Sequence, residues 1–208
     1  MPKIYDISPL IVESLSVWPG DTPPRREILL DQARGDSVTL STLHTTVHLG
    51  AHADAPSHYR TYAPSIEQRP LEIYLGPCQV MAVRVPRGSL IGLADLPGPI
   101  LAERVLLATG TFPEPTRFNH DFAALDPLLV DHFQSRGVRL VGVDTPSVDP
   151  FDSKELPAHQ ACFQHDLAIL EGLVLDGVPE GVYELIALPL RLAGFDASPV
   201  RAILRSDS

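Results

Sequence analysis

Cysteine is scarce in this 208-residue sequence: only Cys78 and Cys162 occur, too few for a disulfide framework. Their scarcity points to a reducing, cytoplasmic setting. No apolar stretch approaches the roughly 20 residues that span a bilayer, and Lys3, Asp6 and Glu13 stand where a signal peptide would carry its apolar run. Membrane insertion and secretion are therefore disfavoured. Runs of Lys or Arg are also missing. Sixteen basic against 26 acidic residues leave a formal charge of −10, and such a surface repels phosphate backbones and anionic lipids. Neither a nucleic acid nor a membrane is expected as a partner. No G-x-S-x-G elbow is present, which argues against a serine nucleophile. Internal repeats and low-complexity tracts are absent too.

What the sequence does have is proline, 21 residues, and histidine, eight. Its length fits one domain over residues 1–208 at about 150 residues per domain, large enough to bury a core without crosslinks. Apolar runs bounded by Pro, Gly or Asp predict strands at Lys3–Ile7, Ser37–His48, Cys78–Val85, Arg104–Ala108, Arg139–Val143, Leu173–Leu175 and Tyr183–Leu188. A helix is expected after Asp126, with Pro127 at its first position and Gly137 at its end. Ala158–Ile169 is a second helical candidate, Ile66–Leu75 a weaker one around Pro70, and Arg205–Ser208 reads as a frayed tail. More strands than helices, with helices interleaved late, favour an α/β domain with a mixed sheet.

The densest chemistry lies in His48-Leu-Gly-Ala-His52-Ala-Asp54-Ala-Pro-Ser-His58. All four polar groups occupy even positions and would share one face of an extended chain. A straight strand would nevertheless hold His48 and Asp54 roughly 20 Å apart, too far for one ion bound at about 2.0–2.2 Å. The segment must bend; Gly50 permits it, and the small Ala51, Ala53 and Ala55 do not obstruct it. Mixed His and Asp donors suit zinc, manganese or iron rather than calcium or magnesium.

Three further residues stand out. Glu171 is the only charge in Leu167–Leu175; a buried carboxylate there must be paired, protonated or metal-bound, the alternative being an exposed charge at a strand end. His159, His165 and Asp166 are each possible additional ligands, and spacing does not choose among them. Trp18, the only tryptophan, sits among the loop formers Pro19, Gly20 and Pro23, where a half-exposed ring suits contact with an aromatic ligand as well as a core position.

The His48–His58 string resembles the H-x-G-T/A-H-x-D-x-P-x-H signature of the metal-dependent cyclase-like amidohydrolases. Val17–Pro23, Gly142–Asp149 and His159–Glu171 extend the likeness over nearly the whole chain, toward the bacterial kynurenine formamidases. The resemblance implies an α/β fold of cyclase-like swivelling type, a central mixed β-sheet flanked by helices. It implies two zinc ions per subunit, the first on His48, His52 and Asp54. The second would lie on His159 and Glu171, with Asp54, and likewise Glu171, bridging. It makes His58 the general acid/base, a ligand role being the rival, and places Trp18 in the substrate pocket. The implied reaction is hydrolysis of N-formyl-L-kynurenine to L-kynurenine and formate by a homodimeric enzyme. Opening of an isatin-like cyclic amide, or metal binding without catalysis, are the alternatives. His44, His120, His132 and His165 are expected to be structural, as are both cysteines, and Asp144 to cap a turn.

Overall fold

The computed structural model describes residues 2–206. In chain order its strands and helices are β1 (Ile4–Asp6), β2 (Arg25–Leu30), β3 (Leu40–His44), β4 (His52–Asp54), β5 (Leu75–Ala82), β6 (Leu90–Ile91), β7 (Arg104–Ala108), β8 (Ala124–Leu125), α1 (Pro127–Ser135), β9 (Leu140–Val143), α2 (Pro157–Gln164), β10 (Ala168–Glu171), β11 (Gly181–Ile186), β12 (Ala197–Pro199) and β13 (Ile203–Arg205). Nine strands form one mixed sheet in the order β1-β13-β11-β5-β7-β9-β10-β4-β12. Its centre, β5-β7-β9-β10, is parallel, and both flanks are antiparallel.

This sheet has to curl. Flat, β13 and β12 would stand seven strand spacings apart, about 34 Å at roughly 4.8 Å each. Yet only residues 200–202 join them, a link that spans at most about 14 Å. Backbone bonds seal the gap: Val200 donates to Ala51 at 2.9 Å and Ile7 to Ala202 at 3.0 Å.

Alternation along the central strands separates two cores. Val105, Leu107, Val141, Val143 and Ile169 pack beneath Leu129, Val130 and Phe133 of α1 and Ala158, Ala161 and Cys162 of α2. Leu106, Leu140, Ala168 and Leu170 face inward with Ala53, Tyr74, Leu185 and Leu204. The fold is the expected α/β arrangement, but α1 and α2 share one face, because the curled sheet covers its own other face. Among the described residues no helix is long and apolar enough to cross a membrane.

Local expectations fare unevenly. α1 begins as expected, with Asp126 accepting the Leu128 N–H at 2.9 Å and Pro127 first. The Ala158–Ile169 helix instead stops at Gln164; Asp166, at φ +51°, turns the chain into β10. A continuous apolar run buried on both faces reads equally as helix or strand. Leu173–Leu175 is consequently not a strand, and Ser37–His48 shrinks to β3. Pro70 divides Ile66–Leu75 into two 3-10 turns, Ile66–Gln68 and Leu71–Ile73. Arg205 is not frayed: it ends β13, and Ser206 donates to the Lys3 carbonyl at 2.9 Å. Asp207 and Ser208 lie outside the described residues.

Candidate metal centre

β4 turns His52 and Asp54 to one side and Ala53 to the inner core. β10 pairs antiparallel with it, setting Glu171 opposite His52. Before β4 the chain bends at Gly50, at φ +54°, and returns His48 Nδ1 to 3.2 Å from Asp54 Oδ1. The bend rests against a second left-handed glycine, Gly172: a Cβ there would lie 2.1 Å from the Gly50 carbonyl oxygen. His159 enters from the first turn of α2, and His58 from the 3-10 turn Pro56–His58. The structure thus gathers His48, His52, Asp54, His58, His159 and Glu171 at one place.

Two donor sets overlap at Asp54. Donor atoms of His48, Asp54 and His58 lie within 4.8 Å of one another, as do those of His52, Asp54 and Glu171. His159 Nε2 stands 3.4 Å from Asp54 Oδ2 and 3.6 Å from Glu171 Oε1. His52 Nε2 is 3.4 Å from both Asp54 Oδ1 and Glu171 Oε2. His48 and His52 both approach Asp54 Oδ1, at 3.2 and 3.4 Å, and His58 comes within reach of the same carboxylate.

The test of fit to a metal is the state of these atoms. His52 Nε2, His159 Nε2 and both carboxylate oxygens of Asp54 are buried and have no hydrogen-bond partner in the protein. Orphaned buried polar atoms are rare, and each costs about 1–3 kcal/mol. Tetrahedral donors about 2.0–2.1 Å from a zinc ion stand roughly 3.3–3.4 Å from each other, close to the spacings found here. The residues fit a divalent transition metal.

Charge follows the same geometry. Burial raises the Asp54 carboxyl, but His159 and His48 outweigh it and hold Asp54 well below the usual carboxylate range. Burial disfavours the charged His48 ring, yet Asp54 and Asp196 push it up to about 9. His159 likewise rises to about 10, with Asp149, Asp54 and Glu171 overcoming burial.

The histidines and Glu171 are braced from behind, as metal ligands generally are. His52 Nδ1 donates to the Gly50 carbonyl at 2.8 Å, and Glu171 Oε1 accepts the Val148 N–H at 2.8 Å. Asp149, whose role the sequence does not reveal, caps α2 by accepting the N–H groups of Ala158 and His159 at 2.9 and 3.0 Å. Its Oδ2 also meets His159 Nδ1 at 2.6 Å. Asp196, also unforeseen, accepts from His48 Nε2 at 3.0 Å and His58 Nδ1 at 3.3 Å. Neither carried a spacing signal; only Asp149's place in the Gly142–Asp149 block marked it.

His165 and Asp166, the rivals of His159, pair instead with Asp131 and Arg69. His44 pairs with Glu27, and His120 stacks on Phe151 at 3.9 Å. Asp144 does cap a turn, accepting the Thr109 and Gly110 N–H groups at 2.8 Å each. Cys78 and Cys162 are free and buried.

A cavity of about 530 Å³ opens onto the donors and reaches Trp18, Phe112 and Phe118; no Lys or Arg lines it. Trp18 is half-buried, stacked on Phe151 at 4.9 Å and edge-on to Phe118 at 5.5 Å.

The profile of the Cyclase family, described as "Putative cyclase", matches residues 5–150. A solved protein described as a potential metal-dependent hydrolase with cyclase activity is similar at 28% identity and a TM-score of 0.85, each chain covered in full. A protein described as a predicted metal-dependent hydrolase from Bacillus stearothermophilus matches at 28% identity and a TM-score of 0.83, again over both whole chains. Isatin hydrolase A from Labrenzia aggregata, at 20% identity and 0.78, shares the fold over all of this chain and 94% of its own.

Proposed function

The chain belongs to the Cyclase family of metal-dependent hydrolases, and from that premise we propose that it is a dinuclear-zinc arylformamidase converting N-formyl-L-kynurenine and water to L-kynurenine and formate. One observation carries the reading. Asp54 is common to two donor sets, and the cavity over them is walled by Trp18 and two phenylalanines. His48, His52, Asp54, His159 and Glu171 hold the metal. Bound divalent ions supply Lewis acidity toward the formyl oxygen and lower the pKa of water to about 7. His58 accepts a proton from the attacking water and returns it to the aniline nitrogen as the C–N bond breaks, because that nitrogen is too poor an anion to leave unprotonated. Trp18 and Phe118 orient the aryl ring by stacking and edge contact.

With no Lys or Arg on its wall, the cavity also suits a neutral bicyclic amide. That favours one second reading, opening of an isatin-like ring. The zwitterionic tail of formylkynurenine would extend to the exposed rim, where Asp21 can meet its ammonium group. We further propose a homodimer in the cytoplasm. The hairpin β2–β3 leaves Ile28, Leu29, Leu30, Leu40 and Leu43 exposed, apolar surface that a second copy would bury.

Zinc-loaded protein assayed on N-formylkynurenine, isatin and a formanilide panel tests the reading. Formylkynurenine is expected to turn over fastest, to stop with chelator and to recover with zinc. Turnover of isatin alone selects the second reading. His58→Ala should keep its zinc and lose roughly 10²–10⁴-fold in rate; loss of zinc would make His58 a ligand.

A further inference from the structure

The carboxylate of Asp196 touches two imidazoles with a single oxygen. Its Oδ2 lies 3.0 Å from His48 Nε2 and 3.3 Å from His58 Nδ1, while the two rings lie 4.2 Å apart between centroids. A carboxylate oxygen has two lone pairs and can accept both N–H groups together.

We propose that Asp196 is the positioning residue of the site, holding His48 and His58 in complementary tautomers through one oxygen. The proposal rests on the reading above, in which His58 handles the proton. In a neutral imidazole, the form a metal ligand or a proton acceptor must take, one ring nitrogen that donates to a fixed acceptor leaves the other with its lone pair. On His48 the bare atom is Nδ1, which faces Asp54 at 3.2 Å, the side from which a metal is held. On His58 the bare atom is Nε2, and that ring lines the cavity, so it can receive a proton from water. Asp196 is the one carboxylate that meets both rings among the described residues; His48 otherwise faces Asp54 at 3.2 Å.

The backbone shows why this acid is placed firmly although its side chain is half-exposed. Ala55 donates to the Asp196 carbonyl at 2.8 Å, and Ile66 to the Phe195 carbonyl at 2.9 Å. The next residue, Ala197, pairs with Asp54 where β12 meets β4. The ligand strand and the segment carrying Asp196 thus move as one piece.

The test uses full-length, zinc-loaded wild type, Asp196→Ala and Asp196→Asn, with three readouts. Histidine ¹⁵N NMR reads the tautomers directly, with His58 identified by the signal lost in His58→Ala. Wild type should show His58 protonated at Nδ1 and bare at Nε2, and Asp196→Ala should shift the ring toward the Nε2–H form. For the formamide reaction, Asp196→Ala should lower kcat and zinc affinity each by about 10–100-fold with KM changed less than about threefold. Asp196→Asn, whose amide oxygen still accepts, should recover much of the loss. A wild-type His58 protonated at Nε2 overturns the proposal whatever the activity, and so does unchanged kcat in Asp196→Ala. A wild type inactive on every formamide but with the expected tautomers overturns the functional reading and leaves the placement of both rings standing.

Discussion

At Asp149 one side chain serves two structures. It terminates the free N–H groups of α2 and fixes the ring of His159, and burial, which raises its carboxyl, is outweighed by those His159 and Ala158 bonds, so it is held low. Asp149→Ala should therefore weaken zinc binding by about 10–100-fold, measured by competition with a chromophoric chelator; unchanged affinity would show that helix capping is its whole role. His48 and His159 give a second prediction at this scale. In metal-free protein both hold protons above the ordinary 6.5, at about 9 and about 10. A raised folded pKa stabilises below the unfolded value and loses that contribution as pH rises through the folded one. Chelated protein should thus lose stability between pH 6.5 and about 10. Metal needs bare imidazoles, so zinc affinity should rise over the same window and binding at pH 7 should release protons. Calorimetry in buffers of different ionisation enthalpy measures that release, and none observed would contradict the assignment. Four of the site residues were legible as a cluster because His48–His58 concentrates them in eleven positions, and Glu171 stood out as the lone charge of an apolar run; Asp149 and Asp196 were not legible, since a carboxylate behind a ligand leaves no periodic trace.

The contact of β4 with β10 carries the site's geometry, and its tightest point is glycine on glycine. Gly172 and Gly50 are both left-handed, and a side chain on Gly172 would collide with the Gly50 carbonyl. Gly172→Ala should destabilise by clearly more than the left-handed penalty of about 1–2 kcal/mol. Gly137→Ala, at φ +77° with open space around it, should cost only that penalty. Urea denaturation of the pair measures the difference, and equal losses would mean the two strands have room to part. The bend at Gly50 could be argued from the sequence because a straight segment cannot bring His48 to Asp54. The strand β10 could not: Ala168-Ile169-Leu170 is apolar on both faces, and only pairing with β9 on one side and β4 on the other makes it a strand.

For the molecule as a whole, the metal should be a stabilising ligand as well as a catalytic one. Zinc at a thousandfold over its Kd adds about 4 kcal/mol, and at 2–4 °C per kcal/mol for a chain of this size Tm should rise by about 8–16 °C. Scanning calorimetry with and without chelator checks this; an unchanged Tm would mean the orphaned atoms find other partners. Sheet closure explains how the site is assembled. Residues 48–58 and 159–171 meet only because β4 pairs with β10, and Asp196 arrives because β12 comes back along β4. Local sequence determined which residue types could bind metal, where the chain had to bend, how α1 starts, and the resemblance that points to the Cyclase family. Those properties depend on spacing and on neighbours within a few positions. The tertiary structure decided the meeting of the distant donors at Asp54, the placing of both helices on one face, and the carboxylates that brace His48, His58 and His159. These depend on strands more than a hundred residues apart coming into register, and no local pattern encodes that pairing.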